Sequence, residues 1–189
     1  MKILFRYLTL SLLPVLLVGC ESLSPSECAT ANWHQLGVQD GQRGRRDRAA
    51  DYHESCSKAG IGVDLTGYRI GRSEGLQSYC RLDNAINEGL AGRSYEHVCP
   101  AQMESNFQLF HEAGYRVQNA RSTLARQQRE QDQFQSELRD SKTAEDRKRT
   151  LRDTLRNSDR RIDDARSALR SAEFNLDPLR QDLRRSNPY

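Results

Sequence analysis

The chain has 189 residues, with 29 basic and 26 acidic side chains, 36% apolar residues and 7% aromatics. That length suits one domain with an extension, and the apolar share is thin for a large packed interior. A net charge of +3 is too small to mark a nucleic-acid binder. The single long apolar run, at the N-terminus, excludes a multi-span membrane protein.

That run begins the chain. Lys2 and Arg6 precede an apolar stretch from Tyr7 to Val18, which ends in Leu17-Val18-Gly19-Cys20. A charged start, a short apolar run and small residues before a cleavage point read as a secretory signal over residues 1–19. Leu-Val-Gly-Cys resembles the bacterial lipobox, in which the cysteine thiol receives a diacylglycerol and becomes the new N-terminus. Several acyl chains on Cys20 would anchor the protein to a membrane stably, since each buried methylene contributes about 0.8 kcal/mol. Glu21 stands where inner-membrane retention favours aspartate. By resemblance to Gram-negative sorting, the expected address is the outer membrane, facing the periplasm. Residues 20–27 are then a lipid-anchored linker.

Past the signal the chain divides into two unlike materials. Residues 20–115 carry 9 basic and 13 acidic groups, and residues 116–189 carry 18 and 13. All five cysteines and all 12 glycines precede Tyr115.

With Cys20 lipidated, Cys28, Cys56, Cys80 and Cys99 remain. An even number in a short exported segment reads as a disulfide framework, with three pairings open. Cys28–Cys56 and Cys80–Cys99 is the expected set. A cysteine opening the first helix of a hairpin lies beside one closing the second, and Cys80 ends one helical stretch while Cys99 just precedes the next. Each bridge would contribute about 3 kcal/mol, which a lean core needs. His53 and His97 lie near Cys56 and Cys99, but no CxxC pair is present and export favours oxidation, so no metal and no cofactor are expected.

Residues 28–115 read as a glycine-rich helical module. Trp33, Gly37, Gly41 and Gly44 fall at helical steps, and so do Tyr68, Gly71, Gly75 and Tyr79. An acid directly precedes a glycine in Asp40-Gly41 and Glu74-Gly75, and Glu88-Gly89 with Gly92 is a looser echo. Glycine in a helix interior costs about 1 kcal/mol relative to alanine, so its repetition needs a cause. Close approach of helix axes and capping are the leading readings. The alternative is a ligand groove of bare backbone in which aromatics stack on sugar rings. It would be lined by Trp33, Gly37, Asp40, Gly41, Tyr68, Gly71, Arg72, Glu74, Gly75 and Tyr79.

These motifs resemble a known family. Trp33…Gly37-x-x-Asp40-Gly41-x-x-Gly44 and Tyr52-His53…Cys56-x-x-Ala59-Gly60 look like its opening. Tyr68-x-x-Gly71-Arg72-x-Glu74-Gly75-Leu76-x-x-Tyr79-Cys80, Gly89-x-x-Gly92-x-x-Tyr95 and Val98-Cys99-Pro100 continue it in order. The family is a proteobacterial lipoprotein family catalogued as domain of unknown function 2799. The resemblance implies an exported, usually lipidated, cysteine-bridged small domain, and no activity. The extension after Tyr115 departs from the minimal family pattern.

Chemistry is sparsely signposted. His34, Asp40, His53, Glu54, Asp64, Glu74, His97 and His111 offer acids and bases, yet no serine elbow, HExxH, phosphate loop or paired-carboxylate motif accompanies them. A periplasmic hydrolase is therefore the most distant reading, and no catalytic residue is assigned.

After Pro100 a heptad pattern takes over. Met103, Phe110, Val117, Leu124, Gln131 and Leu138 recur every seven residues, interleaved with Asn106, Ala113, Ala120, Gln127 and Phe134. A second register comprises Leu155, Ile162, Leu169, Leu176 and Leu183 with Leu151, Ser158, Ala165, Ala172 and Leu179. The two are out of phase across a polar stretch holding Ser141 and Thr143, where Thr143 and Asp146 suggest a capping box. The spacing predicts an antiparallel coiled-coil hairpin over 101–184, with arms near 101–139 and 144–176, rather than one continuous rod with a stutter. Asp177-Pro178 is expected to cap a short final turn.

The reading is an all-α protein, with a disulfide-bridged module followed by a coiled-coil hairpin. The expected role is a non-enzymatic, outer-membrane-anchored scaffold, acting through self-association or a protein partner. The alternative is a peptidoglycan- or glycan-binding module. A lipid tether is the expected membrane contact, and no nucleic-acid contact is expected.

Overall fold

The structure is a computed structural model and describes residues 23–186. Cys20 and the signal segment lie outside these residues. All regular structure among the described residues is α-helical: α1 (Pro25–Thr30), α2 (Trp33–Gln42), α3 (Ala49–Ser57), α4 (Leu65–Tyr79), α5 (Leu82–Leu90), α6 (Ala101–Arg139) and α7 (Glu145–Ser186). Side-chain caps set several starts. Ser24 and Glu27 form a reciprocal capping box on α1, Asn32 accepts from the Gln35 N–H on α2, and Asp64 accepts from the Gly67 N–H on α4. Among the described residues no helix is long and apolar enough to cross a membrane.

The disulfides are Cys28–Cys56 and Cys80–Cys99, the pairing expected above. The first ties α1 to the end of α3. The second ties the end of α4 to the residue just before Pro100 and α6.

The glycines explain how the short helices pack. A Cβ on Gly37 would lie 2.0 Å from the Tyr68 carbonyl oxygen, and one on Gly71 2.0 Å from that of His34. One turn further on, Gly41 faces the Arg72 carbonyl at 2.3 Å and Gly75 that of Val38 at 2.2 Å. Advancing four residues on α2 thus advances four on α4, so the two run in the same direction with their backbones in contact. Only glycine permits this distance, and the propensity it forfeits is offset by dispersion contacts along both backbones.

The same contact recurs between α5 and α6. Gly89 faces the His111 carbonyl at 2.1 Å and Gly114 that of Ile86 at 2.6 Å. Asp40-Gly41-x-x-Gly44-Arg45 and Glu88-Gly89-x-x-Gly92-Arg93 then make the same set of local contacts. Gly44 and Gly92 both have positive φ, 64° and 73°. The Arg45 and Arg93 N–H groups donate to the Asp40 and Glu88 carbonyls at 3.0 and 3.1 Å. Each arginine side chain also returns to the acid side chain of its own motif, at 3.4 Å to Asp40 and 2.6 Å to Glu88. On the partner helix, Arg72 and His111 occupy equivalent places and donate to the Arg45 and Arg93 carbonyls, at 2.7 and 2.8 Å. The module is a tandem repeat of one helix-pair unit, α2/α4 and then α5/α6. The looser of the sequence echoes, Glu88-Gly89, therefore marks the true counterpart of α2.

Two cores follow. Ala49, Tyr52 and Tyr68 form the first, with Trp33, Leu36 and Leu65 against it. The second gathers Leu76, Tyr79, Ile86, Phe107, Phe110, Val117 and Leu176. Leu176 belongs to α7, so the hairpin base is part of the module's interior. Phe107, fully buried and outside the heptad register, sits on the side of α6 that turns toward Tyr79, with ring centroids 5.2 Å apart.

Beyond that base α6 and α7 form an antiparallel hairpin. Arg121 pairs with Glu173, Gln131 with Asp159 and Glu137 with Arg147. All ten second-register positions on α7 are buried or half-buried, and on α6 only Asn106 of the first register is exposed. The turn differs from expectation. Thr143 does not box with Asp146; its hydroxyl donates to the Glu137 carbonyl at 2.7 Å, and the Asp140 side chain accepts from the Lys142 N–H. The Glu137 carbonyl at the end of α6, which also accepts from the Asp140 N–H, takes the hydroxyl that was expected to start α7.

The expected stop at Asp177-Pro178 is also absent, because α7 runs through Pro178 to Ser186. A proline inside a helix costs about 3 kcal/mol. Here it lies on the exposed side of the helix, while Leu176, Leu179 and Leu183 gain contacts with the second core.

Candidate functional site

The alternative reading, a glycine groove, is closed in the structure, and close helix packing takes its place. Gly37, Gly41, Gly71 and Gly75 are buried against one another's helices, and no ligand can enter where a single Cβ would meet backbone. Tyr68 is fully buried, and Tyr79, 4% exposed, lies against Gly44, whose Cβ would meet its ring at 2.1 Å. Trp33 packs on Tyr52, with centroids 6.1 Å apart. Arg72 is spent on the Arg45 carbonyl, and Glu74 lies on the exposed side of α4, 3.2 Å from His34.

Asp40, also expected in that groove, is instead a buried hub. It is 0% exposed, and its Oδ2 accepts from the Tyr52 hydroxyl at 2.8 Å and the Tyr68 hydroxyl at 3.0 Å, while Arg45 reaches Oδ1. A buried carboxylate persists only with such partners. Tyr68 additionally accepts from the Arg48 N–H at 3.2 Å, so the hub links α2, α3 and α4. The carboxylate and both phenols are buried while Arg45 reaches the surface, and the arrangement serves structure.

The hub has a measurable consequence. Burial, reinforced by the hydrogen bond to Asp40, pushes the Tyr52 phenol up to about 12, and burial with the nearby Glu88 carboxylate does the same for Tyr79. Burial also raises Tyr68 and Tyr95. Unfolded tyrosines ionise near pH 10. Between about pH 10 and 12 the unfolded chain has lost these protons and the folded one keeps them, so stability falls as pH rises through that window. Urea unfolding at stepped pH should show the midpoint declining steeply above about pH 10. Tyr52→Phe with Tyr79→Phe should flatten the decline; an unchanged slope would contradict the assignment.

The second copy of the unit differs where it meets solvent. Its connecting segment, residues 91–100, carries Tyr95 and His97 to the side of α6 that bears His111 and Tyr115. Tyr95 packs at a tilt against Phe107 at 4.6 Å and His97 at 4.9 Å, and Tyr115 lies nearly parallel to His111 at 6.0 Å. Glu104 fixes the near wall, accepting from the Tyr95 hydroxyl at 2.5 Å and lying 2.8 Å from His97 Nδ1. His111, 8% exposed, is fixed by its Nε2 donating to the Arg93 carbonyl. Tyr95, His97, His111 and Tyr115, with Ser94, Gln108 and Glu112, border an open cavity of about 290 Å³. His97 holds φ at 54°, the only non-glycine residue at positive φ among the described residues. The sequence offers His111 as an isolated base, His97 as a base and as a neighbour of Cys99, and gives Tyr115 no role; Gly89-x-x-Gly92-x-x-Tyr95 is the one local signal.

No group of three or more His, Cys, Asp or Glu side chains is arranged to hold a metal among the described residues. Both cysteine pairs near histidines are disulfide-bonded and offer no thiolate.

Each motif quoted for the resemblance lies in one of the two helix-pair units or in the segments joining them. Residues 32–116 match the family described as Protein of unknown function (DUF2799). The DUF2799 match begins at the cap of α2 and ends two residues past Gly114, so it spans both copies of the unit and stops before the distal hairpin. No curated protein and no solved structure matched the chain. The DUF2799 region contains both the Asp40 hub and the ring-lined cavity.

Proposed function

We propose that this protein is a non-enzymatic, lipid-anchored envelope adapter whose coiled-coil hairpin is the surface offered to a protein partner. The observation that carries this reading is the extent of the hairpin beyond the module. The second core ends at Val117 on α6 and at Leu169 on α7, yet the helices continue to Arg139 and start at Glu145. About twenty residues of α6 extend past that core, roughly 30 Å at helical rise. A two-helix rod of that length contributes little to a stability already supplied by two disulfides and two cores, so presentation is its better explanation.

The seam in this section is suited to adaptation rather than to maximal stability. Gln127 Oε1 and Ser158 Oγ are buried without a hydrogen-bond partner, which weakens the pairing of the arms. Leu124, Phe134, Leu138 and Leu155 are only half-buried between them, leaving apolar edges that a third helix would cover.

The anchor belongs to the same proposal. Cys20 lies three residues before Leu23, which packs against the first core. Lipidation there would hold the module close to the membrane, with the outer-membrane, periplasm-facing location as the expected address. In cell fractionation, the wild type should be recovered with outer membranes and Cys20→Ser should lose acylation and appear in the soluble fraction. A Cys20→Ser variant processed and localised like the wild type would refute the anchor.

A further inference from the structure

We infer that the cavity bordered by Tyr95, His97, His111 and Tyr115 binds a neutral pyranose ring of a glycan. The inference is independent of the adapter reading, since the site lies on the module and not on the hairpin's distal half.

The internal repeat supplies the first reason, because the same scaffold is built twice and only one copy is open. In the first unit the position equivalent to Tyr115 is Leu76, 7% exposed within the second core, and the position equivalent to His111 is Arg72, bound to the Arg45 carbonyl. Tyr52, which like Tyr95 lies against the α4 or α6 ring, is only 3% exposed and is covered by Trp33. In the second unit Tyr115 is 36% exposed, and the His97 side chain is 63% exposed.

The second reason is the backbone. A non-glycine residue in the left-handed region is strained and persists only where its surroundings impose that conformation. His97 is held there, with its ring packed at a tilt against Tyr95 and hydrogen-bonded to Glu104. The strain brings a ring to the cavity wall.

The chemistry of the lining selects the ligand. Aromatic faces suit the C–H faces of a pyranose, while its hydroxyls need short polar partners at the edge. Ser94 contributes a hydroxyl and Gln108 an amide. The nearby carboxylates are paired, Glu112 with Arg116 and Glu104 with Tyr95 and His97, which favours a neutral ligand over an ionic one. About 290 Å³ accommodates one sugar ring, near the lower end for small-molecule sites.

The test is an NMR titration of the full-length protein in detergent micelles with chitotriose and with maltotriose, and separately with choline chloride. Saturable shifts in the ring resonances of Tyr95, His97 and Tyr115 are expected with at least one trisaccharide. Tyr115→Ala should weaken that binding about tenfold, the effect of losing one stacking face of about 1.4 kcal/mol. Gln108→Ala, a rim change outside both cores, should weaken it severalfold with thermal unfolding unchanged. Absence of shifts with both sugars, saturation by choline alone, or sugar binding that survives both variants would each overturn the site.

Discussion

Gly41→Ala should destabilise the module by about 2–4 kcal/mol, despite alanine's advantage of about 1 kcal/mol in helix propensity. The added methyl would meet the Arg72 carbonyl at 2.3 Å and the Leu76 nitrogen at 2.8 Å. Both are backbone atoms of α4, so no side-chain rotation relieves the clash, and the two helices must separate along their length. Gly75→Ala meets the reciprocal surface, at 2.2 Å from the Val38 carbonyl, and should cost a similar amount. The two are neighbours, so their double variant should lose less than the sum: once the axes part, the second methyl has room. Gly62→Ala is the control, since nothing lies within 4 Å of its Cβ position, and it should be neutral or slightly stabilising. Chemical denaturation with intact disulfides measures all four. A Gly41→Ala variant as stable as Gly62→Ala would mean that the helices do not touch as described.

Asp40→Ala is expected to cost about 3–5 kcal/mol, because it removes the acceptor for two buried phenols at once. Tyr52 and Tyr68 would retain hydroxyls with no carboxylate to receive them, in a core where both rings are nearly inaccessible. Tyr52→Phe removes one donor and leaves Asp40 with Tyr68 and Arg45, so its cost should be much smaller, about 1 kcal/mol. The cycle of Asp40→Ala with Tyr52→Phe should show coupling of about 1 kcal/mol or more. Additive effects would separate the residues energetically and refute the hub.

The sequence made some of this legible, and its failures have physical causes. The heptad registers were readable because each arm buries one continuous stripe, and the stripe survives in the sequence with only Asn106 out of place. The glycine spacing pointed correctly to close helix contact, but similarity of spacing paired α2 with α4, which are contact partners rather than copies. The true copy, α5, is hidden because positions equivalent to Gly37 and Gly71 are Ala85 and Phe110. There the second pair of helices touches at one glycine from each, Gly89 and Gly114, instead of two.

Phe107 was missed for a related reason. A heptad describes one seam, and α6 has two, one toward α7 and one toward α5 and the connecting segment. Pro178 misled because local propensity argued for a stop, although the heptad register runs on through Leu176, Leu179 and Leu183, whose contacts with the second core carry the helix past it. The ring-lined cavity was illegible as a unit, since Tyr95, His97, His111 and Tyr115 come together only through the fold of residues 91–100 over α6.

The adapter role is tested most directly by breaking the distal hairpin while leaving the module intact. Leu155→Asp with Ile162→Asp places two charges in the seam beyond the second core, where Ile162 is 3% exposed. A photo-crosslinking residue at Gln133 or at Arg156, both exposed on the hairpin, should capture one defined envelope protein in cells, and the same residue at Gln77 on the module should not. In the double aspartate variant that product should disappear, with both disulfides formed and the protein still at the membrane. The same crosslinked product at undiminished yield from the double variant, or none from the hairpin of the wild type, would contradict the account.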